Sequence, residues 1–180
     1  MFELKTANAL TEAHRTQALL YLLLTGLNHG ALVNLRPATV QHRFVSTRLT
    51  PDKRRAFTVD DAQWHASDAE SGWLRQLALD LLSDWGAFLA VSLYCEAIEH
   101  FLGGPEAAVQ RVDIVSGPRT VGCQGVHLLN PTTAFRITGL TRDLSPYEQH
   151  LRKVLAHTRL RRVQWINLNR HTITFKTLCQ

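Results

Sequence analysis

Four residues near the N-terminus have the types and spacing that acid–base chemistry uses: Glu3, Lys5, Gln17 and Tyr21. Glu3 and Lys5 stand two apart in the run Phe2-Glu3-Leu4-Lys5, so on a strand they project from one face while Phe2 and Leu4 face the core. A carboxylate can ligate a cation or take a proton, and an ammonium beside it can stabilise developing negative charge. Gln17 and Tyr21 stand four apart, on one face of a helix. The same spacings also suit a surface ion pair and a helix–sheet packing pair.

A second set is cationic. Arg152, Lys153, Arg159, Arg161 and Arg162 gather near Trp165, at the end of a helical pattern and in the loop after it. Such a group could follow a phosphate backbone, with binding that weakens steeply in salt; a solvated helix face beside a core tryptophan fits equally. Charge along the chain sharpens the contrast. Residues 1–60 carry +4, residues 61–130 carry −6 and residues 131–180 carry +7. Two basic ends around an acidic middle suit a polyanionic partner such as nucleic acid.

The elements that position these residues follow from patterning. Phe2–Thr6 alternates as a short strand, Thr11 can cap a helix with Glu12 in its first turn, and Gly26 can stop it. Residues 31–35 and 39–45 read as strands, and 50–55 as an exposed connection. Residues 58–70 are polar and mixed, the composition of a linker. Helical periodicity over 70–102 divides near Ser83-Asp84 and ends at Gly103-Gly104-Pro105. Strand patterns follow over 109–116, 120–129 and 133–138. A helix with Pro146 in its first turn reaches His157, and strands 163–168 and 172–178 close the chain.

A hydrophobic share of 45% excludes a disordered chain. No apolar run is long enough to span a membrane and no signal peptide begins the sequence. Cys95, Cys123 and Cys179 form no CxxC pair and read as free thiols of a reducing cytoplasm. The histidines lack metal-ligand spacing.

The chain also resembles itself. A shift of 133 residues aligns residues 2–46 with 135–179 without a gap and makes seven positions identical, among them Phe2/Phe135, Thr25/Thr158, Asn34/Asn167 and Leu35/Leu168. Strand, helix, strand, turn and strand all fall in register. Glu3, Lys5, Gln17 and Tyr21 then correspond to Arg136, Thr138, His150 and Val154.

The succession of Phe-Glu-Leu-Lys, a helix bearing His14, Gln17 and Tyr21, and Gly30-Ala31-Leu32-Val33-Asn34-Leu35 resembles the GxxExxY family of PD-(D/E)xK nuclease-like proteins. The resemblance covers about 45 residues. It implies an α/β, restriction-endonuclease-like core: a partial first copy (β-α-β-β, residues 1–57), a linker and helix (58–83), and a complete but degenerate copy (α-β-β-β-α-β-β, residues 84–180). It further implies that Glu3 and an aspartate on a preceding strand hold Mg2+, with Lys5 acting on the attacking water and Gln17 and Tyr21 in support.

Two departures limit the expectation. The aspartate-bearing strand is not found ahead of Phe2, so Glu3 is a metal ligand without its partner. In the second copy His127 stands at the aspartate position, Val91 where the naming glutamate belongs, and Arg136 repels cations. The expectation is therefore a fragment of a metal-dependent DNA nuclease, inactive as this chain. The alternative is a catalytically dead nucleic-acid-binding or scaffolding module.

Overall fold

The computed structural model describes all 180 residues, as two compact units, Met1–Ala56 and Phe57–Gln180. In the first, strand β1 (Phe2–Lys5) leads to helix α1 (Glu12–Thr25), then strands β2 (His29–Asn34) and β3 (Gln41–Ser46) and a short helix α2 (Pro51–Arg55). Thr11 caps α1 through a capping box closed by His14, whose Nδ1 accepts from the Thr11 amide at 3.1 Å. Gly26 ends the helix at φ 70°, a conformation other residues reach only at a steric cost. Helix α1 carries the chain across one face, so β1 and β2 pair in parallel; β3 returns antiparallel. Ala18 and Leu22 of α1 close a small core on Leu32 and Val45.

The charged side of β1, not its apolar side, lies inward. Glu3 and Lys5 point towards α1, with side chains 11% and 16% exposed, whereas Phe2 and Leu4 are 79% and 64% exposed. The expectation that Phe2 and Leu4 face the core is thus corrected. Alternation puts Glu3 on the side of its pairing partner Leu32, which α1 buries completely. Residues 50–55 are likewise more than an exposed connection: Pro51 starts α2 and Arg54 is buried.

The second unit is a six-stranded sheet in the order β4-β9-β8-β7-β6-β5. Its elements are β4 (Thr58–Gln63), α3 (Ala69–Trp85), α4 (Val91–Phe101), α5 (Pro105–Ala108), β5 (Val109–Ser116), β6 (Arg119–Asn130), β7 (Thr133–Thr138), α6 (Leu144–Ala156), β8 (Arg162–Asn169) and β9 (Thr172–Cys179). Residues 58–70, whose composition suggested a linker, supply β4, which pairs in parallel with β9, and the start of α3. The break between α3 and α4 falls at Gly86, φ 74°, rather than at Ser83-Asp84, and the Tyr94 hydroxyl donates to the Gly86 carbonyl there.

Helices cover both faces of this sheet. On one, Leu151 and Leu155 of α6 pack on Val163, Trp165 and Leu178. On the other, Ala78, Leu81, Leu82, Tyr94 and Ile98 of α3 and α4 face Ile137, Ile166 and Leu168. Gln164, fully buried, donates to the Ser71 hydroxyl of α3 at 2.8 Å.

Pairing within the two units corresponds residue by residue. Phe2 pairs with Ala31 and Phe135 with Gln164; Lys5 with Asn34 and Thr138 with Asn167; His29 with Ser46 and Arg162 with Cys179. Each position in the second unit is its counterpart in the first plus 133.

Candidate functional site

Glu3, Lys5, Gln17 and Tyr21 form one continuous polar line. The Glu3 Oε1 lies 2.7 Å from the Lys5 ammonium, which donates to the Gln17 Oε1 at 2.6 Å. Gln17 Nε2 in turn donates to the Tyr21 hydroxyl at 2.9 Å. The strand places the first two residues and α1 the last two, and the packing of Ala18 and Leu22 on Leu32 and Val45 sets which face of α1 meets the sheet. Because the Tyr21 oxygen accepts from Gln17, its own O–H is left to donate outward, where the side chain is partly exposed. The line therefore runs from a shielded carboxylate to a phenol at the surface.

Glu3 keeps one orphan. Its Oε2 is buried without a hydrogen-bond partner. A buried carboxylate oxygen left in this way is costly and calls for a cation or a donor. It supplies one hard oxygen ligand, whereas Mg2+ is held by several oxygens in near-octahedral array. No group of three His, Cys, Asp or Glu residues suitable for a metal occurs in the chain. The residues present thus fit one corner of a magnesium site and not the site.

A residue the chemical reading passed over holds the strand in place. Asn34, fully buried, accepts from the Ala7 amide at 3.0 Å and donates to the Ala7 carbonyl at 2.8 Å, clamping the chain just beyond Lys5. Asn167 grips Leu140 in the same way, at 2.8 and 2.9 Å. The signal was in the sequence: Asn34 and Asn167 are identical under the 133-residue shift, at positions where a strand ordinarily carries an apolar side chain.

At the corresponding place in the second unit the polar line is absent. Thr138 donates to Asn167 at 2.7 Å and accepts from the Trp165 indole at 2.8 Å, so it is spent on structure. His127 pairs with Glu99 of α4 at 2.6 Å and packs against Phe135. Burial, with the Glu99 charge beside it, pushes the Cys95 thiol up to about 11, which keeps it protonated.

The five basic residues divide. Arg152 is tied to Glu148 at 2.8 Å, and Arg162 to Asp68 at 3.1 Å. The Lys176 ammonium at 2.6 Å, aided by Arg152, holds the Glu148 carboxyl below the usual carboxylate range. Asp68 caps α3 through the Ser71 amide; burial would raise its pKa, and its hydrogen bonds from Ser71 and Thr133 outweigh that and lower it. Lys153, Arg159 and Arg161 remain exposed and outside any ion pair. Trp165 is buried beneath α6 and offers no surface to a base.

Residues 1–45 match the family model of the PD-(D/E)XK nuclease superfamily. The match takes in β1, α1, β2 and most of β3, and with them all four members of the polar line. No curated protein and no solved structure matches the chain. No helix is long and apolar enough to cross a membrane.

Proposed function

We propose that the Met1–Ala56 unit carries half of a phosphodiester-cleaving site and that this chain is nuclease-like in build without cleaving nucleic acid. The observation behind this reading is the line Glu3–Lys5–Gln17–Tyr21, which ends in a carboxylate oxygen with no partner. In such a site Glu3 would contribute one ligand to Mg2+, and the metal, when bound, would neutralise charge on a scissile phosphate. Lys5 is held so that its charge serves Glu3 and Gln17 together, and Tyr21 offers its O–H to a phosphate oxygen. One carboxylate beside an ammonium is too poor a donor set to retain the cation, and this accounts for the proposed inactivity.

On this reading the second unit is a degenerate copy of the same core. The support is the shared pairing register and the matching Asn34 and Asn167 clamps. The three free thiols suit a reducing cytoplasm.

Supercoiled plasmid with Mg2+ or Mn2+ tests the proposal: no nicking is expected. Metal-dependent nicking abolished by Glu3→Ala would overturn the inactivity. A second reading, a catalytically dead module that binds DNA through Lys153, Arg159 and Arg161, is favoured by the exposure of those three residues. Three phosphate contacts predict a slope of roughly −3 in log K against log salt on duplex DNA. Affinity indifferent to salt would exclude it.

A further inference from the structure

The face of the β1-β2-β3 sheet opposite α1 is apolar and uncovered. Alternation places Phe2 and Leu4 of β1, Ala31 of β2, Leu35 just beyond it, Val40 just before β3 and Phe44 within it on this face. All but Ala31 are exposed, Phe44 to 80%. In the second unit the corresponding Phe135 is 1% exposed and Ile173 fully buried, on the face that α3 and α4 cover. Contiguous apolar patches of this kind mark interaction sites in soluble proteins.

We infer that this face is the interface of a homodimer, two copies of the chain packing sheet against sheet about a two-fold axis. Three properties of the face select a second copy. A two-fold sets one patch against an identical patch, so any charge on it faces a surface of the same sign, which a charged face resists; the strand positions here carry no Lys, Arg, Asp or Glu, with His29 and His42 the sole titratable groups. The relief also complements itself: Phe2, Ala31 and Phe44 lie in one cross-strand row, so two exposed rings flank a small residue. A ring from the facing copy can seat over Ala31. Finally, a three-stranded sheet with one helix outside is half of a four-layer sandwich, the usual way for two such faces to be buried. Nucleic acid is a weaker occupant, because alternation sends Lys5 and Arg43 to the α1 side.

Burying these side chains removes on the order of 500 Å2 per copy, below the ~800 Å2 per partner of a standard interface, so the dimer is weak and concentration-dependent. Sedimentation velocity of the full chain, from about 1 to about 100 μM, is the test. The mass should rise towards twice 20.3 kDa. Phe44→Lys and Leu4→Lys, each at an exposed position, should weaken the association at least tenfold with an unchanged circular dichroism spectrum. If either variant misfolds, hydrogen exchange of the wild type decides: residues 40–46 should gain protection as concentration rises. A wild type monomeric throughout, or a dimer indifferent to both substitutions, overturns the proposal. So does a monomer whose affinity for a single-stranded oligonucleotide falls with Phe44→Ala, which would give the face to stacked bases.

Discussion

Phe2 and Phe135 hold equivalent places in two strand sets that pair residue for residue, yet the first is 79% exposed and the second 1%. Val40, just ahead of β3, and Ile173, its counterpart by the 133-residue shift, differ in the same direction, exposed and fully buried. One pattern of strand residues therefore serves two environments. In the second unit α3 and α4 cover the face, and β6 extends the sheet beyond β7. In the first unit β1 is a free edge and its outer face is bare. The polar residues divide the opposite way. The first unit spends inward space on Glu3 and Lys5, while the second has Thr138 and Trp165 bonded to each other. A strand set can thus retain its pairing register with or without chemical groups on it. Those groups are an addition to the fold and not a requirement of it.

The sharpest break of this comparison is Phe135→Ala against Phe2→Ala. Removing the buried ring should cost about 3–5 kcal/mol, and removing the exposed one about 0.5 kcal/mol or less in the monomer. All four tryptophans lie in the second unit, so denaturant titration followed by their fluorescence reads that unit, and hydrogen exchange reads the first. Equal effects would show that Phe2 is covered.

Lys5→Met should come next. It leaves the Glu3 carboxylate buried beside α1 without its cation, at a cost of about 2–4 kcal/mol, and Glu3→Leu in the same chain should restore most of it. Exchange at β1 and α1 amides measures both. If the double variant recovers nothing, the pair matters to the fold in a way the second unit does not need.

Asn34→Ala and Asn167→Ala each orphan two backbone groups and should cost about 1–3 kcal/mol, each within its own unit. Loss of protection at Ala7 in one and Leu140 in the other is the readout. A large difference between the two would break the equivalence of the clamps.

The smallest effect concerns acid. Glu148 has a lowered folded pKa, so its contribution is present above the unfolded carboxylate value and is lost as pH falls through the folded one. Stability of the second unit, followed by tryptophan fluorescence, should therefore decline below about pH 4.5, and less so in Glu148→Gln. In the first unit position 15 is an arginine, and the comparable carboxylate is Glu12, exposed on α1 and held below its usual range by Arg43 at 2.8 Å, the residue that corresponds to Lys176.

Much of the architecture was legible in the sequence because it is written locally. Thr11 and Gly26 mark the ends of α1 through their own side-chain and backbone chemistry, and alternation gives the strands their period. The four site residues were legible for the same reason: spacing of two on a strand and four on a helix fixes shared faces before any packing is known. What spacing leaves open is which face lies inward. Phe2 and Leu4 read as core by polarity, and the position of α1 decided for Glu3 and Lys5 instead. The polar stretch 58–70 read as a linker because an edge strand such as β4 needs little apolar content; its partner β9 lies more than a hundred residues on. By itself, then, the sequence determined the elements, the 133-residue correspondence and the set of groups able to do chemistry. Only the tertiary structure decided burial and connection. It joined Glu3 to Tyr21 through Lys5 and Gln17, left one carboxylate oxygen alone, and bared one sheet face while covering the other. These outcomes depend on contacts between distant residues, and local periodicity carries no record of them.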